Sequence, residues 1–115
     1  MSDSPSLFTR IVAREIPADV LFENERIIAI RDINPQAPVH LLVIPKREYR
    51  NVTELAAADP VLLAEVVSVA QSLASEHSTG DYRLVFNTGA STGQTVFHVH
   101  AHVLSGALEE GTLAH

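Results

Sequence analysis

The strongest constraint on the fold of this chain is a strictly alternating stretch near its carboxyl end, residues 96–104, which reads VFHVHAHVL. Side chains two residues apart in an extended strand point to the same face of the sheet. The pattern therefore predicts a strand that presents His98, His100 and His102 in one row, with small apolar residues packed into a core behind them. An ordinary solvent-exposed face could use Thr, Lys or Glu, so three imidazoles on one face indicate chemistry.

The rest of the chain supplies short strands and two helices. Ser6 is predicted to cap a short helix, and Asp59 followed by Pro60 predicts the start of a long helix that stops near Gly80. The remaining strands are predicted at residues 20–22, 27–30, 39–45 and 82–87. Because strands outnumber helices and several are joined by short turns, we expect an α+β fold. It would consist of an antiparallel five-stranded sheet with one long and one short helix, in a single domain over residues 1–115.

Composition and charge exclude several classes of function. The 115 residues contain no cysteine and carry a formal net charge of −6. A disulfide scaffold, a thiolate zinc site and a cysteine nucleophile are therefore excluded, and a nucleic-acid partner is disfavoured. The amino terminus lacks a basic segment followed by an apolar run, and the most apolar stretch, VLLAEVVSVA, is too short to cross a bilayer. We expect a cytoplasmic protein with no membrane partner.

Two chemical interpretations of the histidine row remain open at this stage. The first is a zinc site, but neighbours on one strand face lie ~7 Å apart, and the motif holds no carboxylate. His40, on the third predicted strand, would have to supply a ligand. The second is covalent catalysis by a neutral imidazole, which suits histidine because its pKa lies near neutrality. The central residue, His100, is then the natural attacker.

The loop that precedes the histidine row favours a phosphate as the group attacked. Residues 87–95, NTGASTGQT, are small or carry hydrogen-bonding side chains. Glycines allow backbone N–H groups to approach a phosphate closely, and Gln94 and Thr95 can donate to its oxygens. Taken alone the loop reads as a simple connection, but it leads directly into His98.

Together these segments resemble the histidine triad (HIT) superfamily of nucleotide hydrolases and transferases. Its signature, His-φ-His-φ-His-φ-φ with φ apolar, fits residues 98–104 throughout. Three segments resemble landmarks of the histidine triad nucleotide-binding branch in the same order: LFTRIVAREIPA, IIAIRDINPQAPVHLLVIPK and VFNTGASTGQTVFHVHAHVLSG. The resemblance covers most of the chain and implies the HIT-like fold.

The resemblance also implies a role for each member of the histidine cluster, which we define as His40, His98, His100 and His102. His100 matches the nucleophile, which attacks the α-phosphorus of a nucleotide and forms a nucleotidyl-histidine that water then hydrolyses. His102 matches the histidine that contacts the phosphate. His98 and His40 match the histidines that support the orientation and hydrogen bonding of the nucleophile.

Binding residues are implied in the same way. Asp32 matches the acid that holds the ribose hydroxyls. The residues that match the surroundings of the phosphate and the leaving group are Asn87, Gly93, Gln94 and Thr95. The residues that match the apolar slot for the purine are Leu7, Phe8, Ile11, Ile30 and Ile33.

The function implied is a homodimeric hydrolase of purine nucleoside 5′-phosphoramidates and related conjugates of AMP or GMP, with no cofactor required. Three departures bear on the leaving group: Thr95 stands where the branch commonly has Ser, Ser105 replaces a Gly, and the tail ALEEGTLAH lacks the familiar aromatic, proline-containing end. Thr95 favours one alternative, a dinucleoside polyphosphate hydrolase, which the short chain and the segment DINPQAP disfavour. Another alternative is an AMP-binding regulatory module without turnover.

Overall fold

The computed structural model describes residues 4–108, and its centre is an antiparallel sheet. The strands are β1 (Val20–Glu23), β2 (Ile27–Arg31), β3 (Val39–Pro45), β4 (Arg83–Val85) and β5 (Ala101–Ser105). They lie in the order β1-β2-β3-β5-β4, and each neighbouring pair is antiparallel. The predicted α+β fold with a five-stranded antiparallel sheet is confirmed. The single domain over residues 1–115 stays a prediction, and most of the tail lies outside the described residues.

The two predicted helices begin at the predicted caps. The helices are α1 (Leu7–Val12), α2 (Val52–Ala58) and α3 (Pro60–His77). The Ser6 hydroxyl accepts a hydrogen bond from the backbone N–H of Thr9 at the start of α1. At the start of α3, Asp59 Oδ1 accepts from the N–H of Leu62 at 3.0 Å. No helix within residues 4–108 combines the length and the apolar character that crossing a bilayer requires.

The helix α2 corrects the expectation of one long and one short helix. Its first turn is closed by Asn51, whose Oδ1 accepts from the N–H of Glu54, while Glu54 Oε1 accepts from the N–H of Arg50. This reciprocal arrangement resembles a capping box, so the spacing Asn-x-x-Glu was a usable signal in the sequence. Asp59 both ends α2 and caps α3, and the two helices therefore form an angled pair rather than one.

Alternation along the central strands gives the sheet two apolar faces. One face, with Ala29 and Leu41, packs against α3, and the other, with Ile30 and Leu42, packs against α1. In the register of β3 and β5, Leu42 lies opposite His102. Because side chains alternate between faces, the strand histidines share the face that carries α1.

The last strand begins later than the sequence pattern predicts. In the register of β3 and β5, Val43 pairs with Ala101, and the same register continued two residues further would place Val99 opposite Pro45. The backbone N–H groups of even-numbered residues along β3 point toward β2, as the bond from Lys46 N to Arg26 O shows. The N–H groups of odd-numbered residues point toward β5, and position 45 would have to donate in that direction. A proline has no N–H, and the N–H of Val99 bonds the carbonyl of Tyr49 at 2.7 Å instead.

The expectation of three histidines in one row of a strand is therefore wrong in part. His102 lies within β5, whereas His98 and His100 precede it. The predicted core behind the row is confirmed, because Val99, Ala101 and Val103 are all buried. The strand predicted at 82–87 is likewise shorter, and β4 covers Arg83–Val85.

Candidate active site

His98 is fully buried and fixed at both ring nitrogens. Its Nε2 lies 2.6 Å from the carbonyl oxygen of Pro45, and its Nδ1 lies 2.5 Å from the hydroxyl oxygen of Ser6. A carbonyl oxygen can only accept, so the ring carries its proton on Nε2 and accepts from Ser6 at Nδ1. Burial lowers the pKa of His98, partly opposed by the Pro45 carbonyl and by Glu48, and this favours the neutral ring.

His100 follows the same logic with the opposite tautomer. Its Nδ1 lies 2.8 Å from the carbonyl oxygen of His98, so the proton sits on Nδ1 and the Nε2 lone pair is available. The ring of Phe8 meets it edge-on, with centroids 4.9 Å apart. Burial is the main cause that lowers the pKa of His100, and the carbonyl of His98 partly offsets it. A neutral ring with an available Nε2 lone pair is the form that can act as a nucleophile.

His40 and His102 meet across the sheet. The backbone N–H of Gln36 donates to His40 Nδ1 at 3.0 Å, so the His40 proton sits on Nε2. That Nε2 lies 2.9 Å from His102 Nδ1 and donates to it, which places the His102 proton on its own Nε2. Burial lowers the pKa of His102 to about 4, and the neighbouring His100 and His40 add to the effect.

Asp32 lies beside this second pair of histidines. Its Oδ2 is 3.4 Å from His40 Nε2, and its Oδ1 accepts from the N–H of Asn34 at 2.8 Å. Burial lowers the pKa of His40, and the charge of Asp32 opposes that shift. A cavity of about 280 Å³ opens at this place. Its lining residues are Asp32, Asn34, Gln36, His40, Val85, Asn87, His102 and Leu104.

The loop before the histidines contains a tight turn. Gly89 and Gly93 flank the short 3-10 turn Ala90–Thr92 with φ of 96° and 99°, a conformation that favours glycine. Gln94 Oε1 accepts from the N–H of Gly89 at 2.8 Å, and its Nε2 donates to the carbonyls of Arg50 and Val96. The side chain is buried and its donors are occupied within the protein. This corrects the expectation that the Gln94 side chain donates to a phosphate: it holds the loop.

The other predicted binding residues fall into two groups. Phe8 and Ile11 of α1 and Ile30 of β2 are buried in the core between that helix and the sheet, and Phe8 also contacts His98 and His100. Leu7 and Ile33 are 44% and 97% exposed. The structure therefore does not bring all five predicted purine-slot residues into one surface. Gly93 and Thr95 are exposed on the loop, and Asn87 lies at the cavity.

Several residues at the site were not predicted from the sequence as site residues. Gln36 acts through its backbone N–H, for which a sequence carries no signal. Ser6 was predicted as a helix cap, and the sequence does not show that its hydroxyl also reaches a residue 92 positions away. Val85 and Leu104 line the cavity as ordinary strand residues.

One set of potential metal ligands lies within this site. Ligand atoms of Asp32, His40 and His102 all lie within 4.8 Å of one another. The set draws on three segments of the chain and includes only one member of the predicted row, so the row itself does not converge on one point.

The five-stranded antiparallel sheet and the histidines gathered around the start of β5 define a protein of the histidine triad class. A family model described as scavenger mRNA decapping enzyme C-terminal binding matches residues 5–115. A purine nucleoside phosphoramidase of Escherichia coli K12 is 37% identical over 112 residues, which are 96% of this chain and 94% of that protein. A 14 kDa zinc-binding protein of Zea mays is 43% identical over 110 residues, 92% of this chain and 85% of that protein.

Solved structures agree with this assignment. A HIT family hydrolase from Clostridium thermocellum superposes with a TM-score of 0.85 at 41% identity, covering 92% of this chain and 94% of that one. The chain belongs to the histidine triad (HIT) family. Membership of this family supports the assignment of the chain as a nucleotide hydrolase.

Proposed function

We propose that this protein hydrolyses purine nucleoside 5′-phosphoramidates and related nucleoside monophosphate conjugates through a nucleotidyl intermediate on His100. The observation that carries the proposal is the bond from His100 Nδ1 to the carbonyl of His98, 2.8 Å long, which leaves the Nε2 lone pair available in a neutral ring. The similarity to the E. coli phosphoramidase supports the substrate class.

In the proposed reaction His100 Nε2 forms a bond to the α-phosphorus as the bond from phosphorus to nitrogen breaks. The leaving amine takes up a proton from solvent, and the water that attacks in the next step returns one to solvent, so the two steps balance. Water then attacks the same phosphorus, releases the nucleoside monophosphate and returns the lone pair to His100. His102 donates from Nε2 to a phosphoryl oxygen, and the arriving negative charge raises the pKa of that ring from about 4. Asn87, at the cavity, is a further polar group for the phosphate.

Binding of the nucleoside is assigned to the residues that the resemblance places around the ribose and the purine. Asp32 holds the ribose hydroxyls, and the exposed side chains of Leu7 and Ile33 contact the purine. We further propose a homodimer, which sedimentation in solution would test directly. Turnover needs no metal in this scheme.

The experiment that tests the proposal is a quench in alkaline denaturant, where a bond from phosphorus to histidine nitrogen survives, during turnover of an adenosine phosphoramidate, followed by peptide mass spectrometry at neutral or alkaline pH. An adenylyl adduct on His100 is expected in the wild type, and none at that position in His100→Ala. His77→Ala, at the end of α3, is the matched control and should carry the adduct normally. Rapid turnover with no adduct on His100 would contradict the proposal.

Substrate comparison separates the alternatives. Faster cleavage of diadenosine triphosphate than of the phosphoramidate would favour the dinucleoside polyphosphate hydrolases. Tight AMP binding with negligible turnover of either compound would favour a regulatory module.

A zinc site is the second candidate, and the cluster of Asp32, His40 and His102 favours it together with the name of the maize relative. Two features oppose it. Tetrahedral zinc holds its nitrogen ligands about 3.3 Å apart, whereas His40 Nε2 and His102 Nδ1 are 2.9 Å apart, a hydrogen-bond distance. A metal on His40 Nε2 would also move the proton to Nδ1, where it would face the N–H of Gln36.

Calorimetric titration with Zn²⁺ tests this second candidate. Stoichiometric binding that Asp32→Asn weakens would support a zinc site, and loss of turnover on exhaustive chelation would make the metal part of the reaction. Full activity after chelation supports the metal-free scheme.

A further inference from the structure

The peptide that carries His98 and His100 lies outside the sheet ladder, so something other than strand pairing must hold it. The pairing of β3 with β5 ends at Val43 and Ala101, two residues before Pro45, and β5 starts at Ala101. Two bonds anchor the segment to the chain before α2: His98 Nε2 to the carbonyl of Pro45, and the N–H of Val99 to the carbonyl of Tyr49. A third bond reaches it from the other end of the chain, from Ser6.

The Ser6 hydroxyl performs two functions at once. Its oxygen accepts from the N–H of Thr9 at 3.0 Å and so caps α1. Its oxygen lies 2.5 Å from His98 Nδ1 and donates its hydrogen there, because Nδ1 of a neutral ring can only accept when the proton on Nε2 bonds Pro45. The backbone N–H of Ser6 is itself held by Glu48 Oε1 at 2.9 Å, so the hydroxyl is oriented from both sides.

We propose that Ser6 is a positioning residue for the nucleophile: its hydroxyl holds the His98 ring, and thereby the His98 carbonyl that fixes the tautomer of His100. The proposal rests on the proposed function for its kinetic consequence, but not for its structural one. The same hydroxyl ties α1 to the catalytic peptide, and α1 carries Phe8, whose ring contacts both His98 and His100. A displacement of the His98 ring would therefore also move the His98 carbonyl, which accepts the hydrogen bond from His100 Nδ1.

The chemistry of the two functions allows them to be separated by substitution. Thr at position 6 keeps both the cap and the donor. Asp keeps the cap, since a carboxylate is a good N-cap acceptor, but it cannot donate to His98 Nδ1. Ala loses both. Thr9→Val is the matched control on α1, because it removes a hydroxyl that contacts Ser6 at 3.2 Å without touching His98.

The first measurement is nitrogen NMR of the histidine rings in the ligand-free, full-length protein. In the wild type and in Ser6→Thr we expect a proton on Nε2 of His98 and on Nδ1 of His100. In Ser6→Asp we expect His98 Nδ1 to become protonated, and in Ser6→Ala a second tautomer of His100. Unchanged His98 and His100 ring signals in Ser6→Ala would overturn the proposal, and this readout does not depend on any substrate.

The second measurement is turnover of the adenosine phosphoramidate. Loss of one positioning hydrogen bond should lower kcat about fivefold to tenfold in Ser6→Ala and in Ser6→Asp, with KM nearly unchanged. Ser6→Thr and Thr9→Val should stay within about twofold of the wild type. Equal loss in Thr9→Val and Ser6→Ala, or wild-type kcat in Ser6→Asp, would mean that Ser6 only caps the helix. Absence of turnover in the wild type would count against the proposed function, and the NMR result would still decide the role of Ser6.

Discussion

The histidine cluster consists of two pairs that are held in opposite ways. His98 and His100 lie outside the ladder, and the ring N–H of each donates a hydrogen bond to a backbone carbonyl. His40 and His102 lie on paired strands, and their protons are ordered by a backbone N–H that donates into the pair from Gln36. In the first pair an acceptor fixes the tautomer, and in the second a donor does.

This difference separates attack from charge stabilisation. The carbonyl of His98 leaves His100 with a lone pair on Nε2, which suits a nucleophile. The amide of Gln36, acting through His40, leaves His102 with a proton on Nε2, which suits a group that donates to a phosphate. Identical side chains obtain different reactivity from the backbone groups that they contact.

The largest expected effect is the loss of the attacking ring. His100→Ala should lower kcat by more than about 10⁴-fold, as removal of a covalent nucleophile does. Nucleotide affinity, measured by AMP titration, should change little, because the other polar groups of the cavity remain. Near-native turnover in this variant would assign attack to another group.

The second pair should be more tolerant, and unequally so. His102→Ala should lower kcat about 10²-fold, since it removes a donor to the developing charge. His40→Ala should lower it about tenfold, because His40 acts through one hydrogen bond to His102. In the double variant the losses should not add, and a steady-state comparison of all four proteins measures the coupling. Additive losses would show that the two rings act independently.

The loop that leads into the first pair is expected to depend on one amide side chain. Gln94→Met removes the partner of the Gly89 N–H and of the carbonyls of Arg50 and Val96. Leaving these groups unpaired should lower the free energy of unfolding by about 1–3 kcal/mol, measured by urea denaturation. Thr95→Val, at an exposed neighbouring position, is the control and should change it far less.

The smallest expected effect is a dependence of stability on pH. Burial lowers the pKa of all four cluster histidines in the folded protein, to about 4 for His102. Unfolded histidine titrates near 6.5, so between these values the unfolded chain binds more protons than the folded one. Stability is therefore full above pH ~6.5 and is lost as the pH falls toward 4.

The measurement is the melting temperature in buffers across that range. His102→Asn should reduce the loss on acidification by about 5 °C, whereas Thr95→Val, which removes no titratable group, should follow the wild type. A melting temperature that rises on acidification would reverse the assigned direction of the shifts.

The sequence predicted those features that depend on neighbouring residues. The hairpin of β1 and β2, the bounds of β3 and the caps at Ser6 and Asp59 all follow from periodicity and from the side chain that starts each helix. The family resemblance named the four histidines that the structure brings together. The helix α2 was missed although its cap was readable in the sequence.

The remaining features depend on contacts between distant segments. Pro45 on the facing strand has no N–H to offer where β5 would extend to Val99, and the tautomer of His102 is set by an amide in the loop before β3. Gln94 was predicted to face a phosphate because a local pattern cannot show which of its partners lie within the protein. Alternation in a sequence predicts a common face, but where pairing stops depends on the partner strand.

Pro45 has a consequence for how variation could reshape this enzyme. Any other residue at that position would offer an amide hydrogen toward β5, which would remove one obstacle to pairing β3 with β5 as far as Val99. If the ladder did extend, the Pro45 carbonyl would have to accept from the N–H of Val99, and His98 Nε2 would lose that partner. The proline ring at position 45 thus lies where the paired sheet gives way to the segment that carries the reactive histidines. Substitutions at this position are a good starting point in a search for altered chemistry in this fold.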